Sequence, residues 1–197
     1  MSTLRPVRAM LALTAGLLAA VVAGVLGATP AFAHGYTTTP TSRALFCQQG
    51  AIADCGDIQW EPQSVEGPKG FPDAGPADGQ ICAGGNSRFS QLDQVRAWPS
   101  NHVSAGSYTF SWHFTARHST TDFRYYITKD GWDSGSPLTR ADLDLNPFLV
   151  VPFQGQPPAD LSHTGNIPAR SGHHIILAVW TIADTGNAFY QCSDVDF

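Results

Sequence analysis

The sequence lacks the motifs that mark several common protein classes. It contains no Cys-x-x-Cys motif of the kind found in zinc sites, no glycine-rich phosphate-binding loop, no internal repeat and no low-complexity tail. Basic residues are scarce, with 11 Lys and Arg against 16 Asp and Glu, so nucleic acid is a poor candidate partner. The informative features that remain are the N-terminal segment, four cysteines and the positions of the histidines.

The N-terminal segment has the organisation of a secretory signal peptide. Arg5 and Arg8 precede an apolar run from Met10 to about Leu26, and residues 31–33 supply an A-x-A cleavage site. We expect residues 1–33 to be removed and residues 34–197 to form one secreted, extracellular domain. The alternative is an uncleaved membrane anchor, but glycines interrupt the run, Pro30 follows it, and a spanning helix needs ~20 apolar residues.

Cleavage after Ala33 would make His34 the first residue of the mature chain. Its α-amine and imidazole Nδ1 could then chelate one metal ion, which no internal histidine can do. A second candidate ligand is His118, which follows a predicted strand in a turn, where functional side chains of a sandwich collect. We interpret the remaining histidines as ordinary surface residues; they are His102, His113, His163, His173 and His174.

Four cysteines in a chain destined for an oxidising compartment predict two disulfides. Three pairings are possible. Closeness in sequence favours Cys47 with Cys55, which leaves Cys82 to reach Cys192. The second bridge would then join the middle of the chain to its C-terminal end.

Apolar periodicity predicts an all-β fold. From Gly35 to about Gly106 the chain is irregular and rich in Gly, Pro and Ser, apart from a short turn around residues 90–98. A period of two from Tyr108 to Thr115 then predicts a strand, and four later apolar runs predict more. The runs are 123–128, 148–153, 175–182 and 189–197. Short strands separated by turn residues predict an antiparallel β-sandwich.

Four separated motifs carry a resemblance to one family. They are His34-Gly35-Tyr36 and the segments 60–67 (WEPQSVEG), 115–121 (TARHSTT) and 184–191 (DTGNAFYQ). They closely resemble the bacterial chitin-active lytic polysaccharide monooxygenases of auxiliary activity family 10, formerly carbohydrate-binding module family 33. The resemblance implies a fibronectin type III or immunoglobulin-like sandwich with a long, partly helical insertion after the first strand.

The resemblance also implies one copper ion per chain, held in a histidine brace. His34 would give its amine and Nδ1 and His118 its Nε2, a nitrogen donor set that suits copper. Phe189 and Ala116 would occupy the two axial sides, and Glu66 would position the oxygen co-substrate. The residues that would contact chitin are Trp60, Glu61, Thr115, Asp184 and Asn187. Trp180, by contrast, is interpreted as core.

Together with the signal peptide, the resemblance implies a secreted, monomeric copper monooxygenase that binds crystalline chitin and oxidises C1 of its β-1,4 links. Its partners would be an external electron donor and dioxygen or hydrogen peroxide. Two rivals stay open: a non-catalytic chitin-binding module, which does not need His34 at the terminus, and a secreted copper carrier. A carrier does not need a long insertion bearing Trp60 and Glu66.

Overall fold

The computed structural model describes residues 33–197. The predicted signal peptide therefore lies, apart from Ala33, outside the described residues. Within residues 33–197, no helix is both long and apolar enough to cross a membrane.

Two sheets form a sandwich, so the predicted all-β fold is confirmed. The smaller sheet has the strand order β1-β4-β7, and the larger has the order β2-β9-β8-β5-β6 with β3 beside β9. Every pairing is antiparallel except that of β3 with β9. The strands are β1 (His34–Thr39), β2 (Glu66–Pro68), β3 (Asn101–His102), β4 (Gly106–Ala116), β5 (Thr120–Ile127), β6 (Leu149–Pro152), β7 (Asp160–Ile167), β8 (His173–Ile182) and β9 (Asn187–Asp196).

The predicted strands are those that carry a marked apolar pattern in their own sequence, either alternating as in β4 or nearly continuous as in β8. In β4, Phe110, Trp112 and Phe114 are buried between the sheets, whereas the residues between them face outward. Strand β7 was not predicted, because His163 and Ile167 are its only buried residues and its outer face is polar. Strands β1, β2 and β3 fall in the region expected to be irregular, and they too lack a long apolar pattern.

The insertion after β1 is partly helical, as predicted. It begins with one α-helix, α1 (Arg43–Gln48), whose first turn is capped by Ser42 Oγ accepting from the Leu45 N–H. Three short 3₁₀ segments follow, at Gly56–Gln59, Pro62–Ser64 and Ser87–Asp93. The last of these overlaps the turn predicted around residues 90–98.

Covalent and ionic links tie this insertion to the large sheet. The structure contains both favoured disulfides, Cys47–Cys55 and Cys82–Cys192. Arg43 also forms a buried, bidentate ion pair with Asp194 of β9, with contacts of 2.6 and 3.0 Å. Because β9 is tied to the insertion in this way, residues of both can share one surface.

The large sheet separates two hydrophobic clusters. Alternate residues of β9 point to opposite sides, so Tyr190 and Cys192 pack against the insertion while Phe189 and Val195 pack between the sheets. Trp180 lies fully buried in the layer between the sheets, in agreement with its interpretation as core. The insertion is therefore a packed third layer and not a loose loop.

Two histidines contradict the prediction of surface positions. His163 and His174 are 7% and 2% exposed. Each is buried with a hydroxyl partner from a distant part of the chain, Tyr125 and Thr128 respectively, at 2.8 Å. Burial lowers the pKa of His163 to about 4, so its ring is neutral at pH 7. The sequence around each histidine gave no sign of these partners.

Candidate metal centre and binding face

The pairing of β1 with β4 brings the two candidate metal ligands to one end of the sandwich. His34 lies opposite Ala116, the last residue of β4, and His118 follows two residues later in the turn to β5. Gly35 allows β1 to approach closely, because a Cβ there would lie 2.6 Å from Phe114 Cδ1. His34 is half-buried and His118 is largely buried.

The environment of His118 leaves one ring nitrogen for a ligand. Its Nδ1 lies 2.8 Å from Asp184 Oδ1, yet Nδ1 is also a buried nitrogen without a properly aligned hydrogen bond. The distance shows that the two groups are in contact, and the missing bond reflects the angle. The Asp184 side chain is 58% exposed. A carboxylate at Nδ1 orients a metal-binding histidine and leaves Nε2 for the metal.

Two apolar residues lie next to His34. The Phe189 ring is fully buried and meets the His34 ring edge-on, with 6.4 Å between centroids. Ala116 lies directly across from His34 in the sheet register. Neither side chain can coordinate a metal.

A carboxylate reaches the same place through β2. Glu66 pairs with Phe189 in the β2–β9 register, which places it beside the ring that contacts His34. Its Oε1 accepts a hydrogen bond of 2.7 Å from Asn187 Nδ2. Asn187 therefore contacts Glu66 directly, a link that the sequence motifs did not indicate.

The insertion that leads to Glu66 carries one highly exposed aromatic side chain, Trp60. Trp60 is 78% exposed, although a buried position is the usual fate of so large an apolar group. It lies between Asp57 and Glu61, and Arg88 Nη2 contacts both carboxylates, at 3.3 and 2.5 Å. Thr115 and Asp184 are exposed near the histidines. Arg88 was not predicted, because it follows Glu61 by 27 residues and belongs to none of the four motifs.

These contacts connect most of the predicted site residues directly. Strand pairing and side-chain contacts join His34, Ala116, His118, Glu66, Phe189, Asp184 and Asn187. Trp60 and Glu61 precede Glu66 in the same insertion, and Thr115 precedes Ala116 in β4. Among residues 33–197 there is no cluster of three or more His, Cys, Asp or Glu side chains placed to hold a metal. The predicted brace would have only two such side chains, because its third donor is an amine.

The donor set fits copper once the His34 amine is free. Two imidazoles and no thiolate are present, because all four cysteines form disulfides. In the described chain, however, Ala33 precedes His34 and the nitrogen of His34 is part of a peptide bond. The third nitrogen donor would exist only after cleavage at that bond.

Comparison with known families gives a match over the whole described domain. The family model described as "Lytic polysaccharide mono-oxygenase, cellulose-degrading" matches residues 34–195. A relative from Mycosarcoma maydis, an AA10 family lytic polysaccharide monooxygenase C, is 53% identical over 84% of this chain and 52% of its own length. GlcNAc-binding protein A of Shewanella oneidensis is 47% identical over 95% of this chain and 39% of its own. The chain thus spans about half or less of these relatives.

Solved structures match along their full length. An AA10 lytic polysaccharide monooxygenase from Streptomyces lividans has a TM-score of 0.82 and 60% identity, over 83% of this chain and 100% of that one. A Bacillus amyloliquefaciens CBM33 in complex with Cu(I) has a TM-score of 0.76 and 40% identity, over 83% and 99%.

Proposed function

Because the chain belongs to the family of lytic polysaccharide monooxygenases, we propose that it is a secreted, copper-dependent enzyme that cleaves crystalline chitin by oxidation at C1. The observation that carries this proposal is the pairing of His34 with Ala116 at the end of β4, two residues before His118. The pairing brings both imidazoles to the end of the sandwich that contains the Ala33–His34 bond, where the sequence predicts signal-peptide cleavage. Only cleavage of that bond would free the His34 amine.

His34 and His118 would hold the copper ion through the His34 amine and Nδ1 and through His118 Nε2. Copper would supply the one-electron chemistry that lets an oxygen co-substrate attack a C–H bond. The protein's own residues would do the rest. Asp184 orients the His118 ring, and the Phe189 ring keeps water and further ligands from one side of the site. Glu66 has one carboxylate oxygen bonded to Asn187, and the other is available to accept a hydrogen bond from the co-substrate.

Chitin is the polysaccharide that we propose, on two grounds. The Shewanella relative is named a GlcNAc-binding protein, and chitin is a polymer of GlcNAc. Trp60 offers a flat, exposed ring for stacking on a sugar, and the polar groups of Glu61, Thr115, Asp184 and Asn187 could hydrogen-bond to its substituents. Cellulose is the second candidate, because the description of the matching family specifies cellulose degradation.

Mass spectrometry of soluble products tests the proposal. The mature protein is incubated with copper, ascorbate and either chitin or cellulose. We expect oxidised chitooligosaccharides with aldonic acid ends and far less product from cellulose. His118→Ala should bind chitin but release nothing. Aldonic acids from cellulose alone would replace chitin with the second candidate, whereas chitin binding without any oxidised product would favour a plain binding module.

A further inference from the structure

A short hairpin loop carries residues that contact both sides of the proposed site. The loop, residues 183–186, connects β8 to β9. Asp184 in this loop contacts His118. Asn187, the first residue after the loop, donates a hydrogen bond to Glu66. Ala183, Asp184 and Gly186 are exposed. Because the loop buries little apolar surface, its polar contacts must decide where it lies.

Lys69 makes three of these polar contacts. Its backbone N–H donates to Gly186 O at 3.0 Å, which extends the β2–β9 ladder by one residue. Its ammonium donates to the carbonyls of Thr185 and Ile182, the latter at 3.4 Å. The lysine side chain therefore binds the backbone at both ends of the loop.

The opposite side of the loop is attached to the turn that bears His118. The Ala183 N–H donates to Ser119 O at 2.8 Å. The loop is thus held between two anchors, Lys69 on the insertion side and Ser119 on the β4–β5 side. If the Lys69 ammonium were removed, the loop would keep only the Lys69 N–H bond to Gly186 O, the Ala183 bond and the Asp184–His118 contact.

We propose that Lys69 is a positioning residue for the substrate face and the metal centre: its ammonium fixes the 183–186 loop so that Asp184 meets His118. A lysine suits this role because its three N–H donors can satisfy several carbonyls at once, and hydrogen bonds from a charged donor are stronger than those from a neutral one. The part of this inference that concerns chitin rests on the proposed function.

The chain offers a matched control. Its two lysines are Lys69 and Lys129, and the Lys129 ammonium also donates to a loop carbonyl, that of Ala141, at 2.8 Å. Lys129 follows the end of β5 that is remote from His118. Lys69→Met and Lys129→Met both remove an ammonium that bonds loop carbonyls and keep an unbranched side chain, but only Lys69→Met releases the 183–186 loop.

Amide hydrogen exchange in the metal-free mature protein is the direct test. In Lys69→Met we expect the Ala183 amide to exchange about tenfold faster or more, because local opening of the loop becomes easier. Lys129→Met should leave that amide at the parent rate, and Lys69→Arg should restore most of the protection. An unchanged Ala183 rate in Lys69→Met would overturn the proposal. So would faster exchange throughout β8 and β9, because that would mean a general loss of stability.

Binding of the same metal-free variants to chitin tests the consequence for the face. We expect Lys69→Met to bind several-fold more weakly than Lys129→Met. Parent-like binding with a released loop would overturn the role in substrate contact. A parent that does not bind chitin at all would refute the proposed substrate, and in that case the exchange experiment would still decide whether Lys69 positions the loop.

Discussion

Trp60 gives the sharpest prediction about the binding face. Its side chain is 78% exposed, so Trp60→Ala should remove a sugar-binding surface at little cost to the fold. A buried tryptophan covers about 150–250 Å², and one ring face against a sugar would cover roughly 100 Å² of this. At ~25 cal/mol per Å² that contact contributes about 2.5 kcal/mol. We expect Kd for chitin to rise about 10- to 60-fold, because area converts incompletely into affinity.

The assay is a depletion isotherm on chitin with metal-free protein, accompanied by thermal unfolding. Trp60→Ala should keep the parent Tm, because surface substitutions usually change stability by no more than ~0.5 kcal/mol. The matched control is Trp132→Ala. Trp132 is partly buried and its Nε1 donates to His173 O at 3.0 Å, at the end of β8 that is remote from the candidate site. It should lower Tm and leave Kd unchanged. Parent-like chitin binding by Trp60→Ala would mean that the face is misplaced.

Three further substitutions test the polar contacts of the core and its titration. Thr37 Oγ1 is buried without a hydrogen-bond partner, so Thr37→Val should leave Tm unchanged or raise it. Thr128→Val loses two hydrogen bonds and should lower the free energy of unfolding in denaturant by about 1–3 kcal/mol. A larger loss of stability in Thr37→Val than in Thr128→Val would refute this. Burial raises the pKa of Asp93 from 3.8 to about 6, so between those pH values the folded state keeps a proton that the unfolded state has lost. The contribution of Asp93 to stability should fall as pH rises through this window and stay low above it. Between pH 4 and 6 the free energy of unfolding of Asp93→Asn should therefore rise relative to that of the parent. If the two free energies change in parallel with pH, the raised pKa of Asp93 is contradicted.

The sequence predicted the parts of the fold in which one strand carries its own signal. In β4 the alternation of Phe110, Trp112 and Phe114 with polar residues is sufficient, because one face of the strand meets the core. In β2 only Gly67 is buried, and a Cβ there would lie 1.9 Å from Gly84 O. Such a strand is specified by its neighbours in space, and the local pattern does not show it.

The candidate site likewise contains residues that the local sequence indicates and residues that only their distant partners reveal. His34 was predicted because its place after the A-x-A motif has a chemical meaning of its own, and His118 because it follows a clear strand. Lys69 and Arg88 were not predicted. Lys69 binds a carbonyl 116 residues away, and an isolated lysine or arginine in an irregular region carries no local mark of its partner. Buried His163 was misjudged for the same reason, since Tyr125 lies 38 residues before it.

The central claim is that cleavage before His34 creates the metal site, and one insertion tests it. An alanine placed before His34 in the mature protein keeps both imidazoles but moves the terminal amine one residue away. The fold and chitin binding should persist, because the described structure already has an alanine, Ala33, before His34 and still pairs His34 with Ala116. Titration with Cu(II) should show one tight site in the parent and a large loss of affinity in the variant with the added alanine. That variant should also release no oxidised chitooligosaccharides. Parent-like copper affinity and product release in the insertion variant would contradict the account.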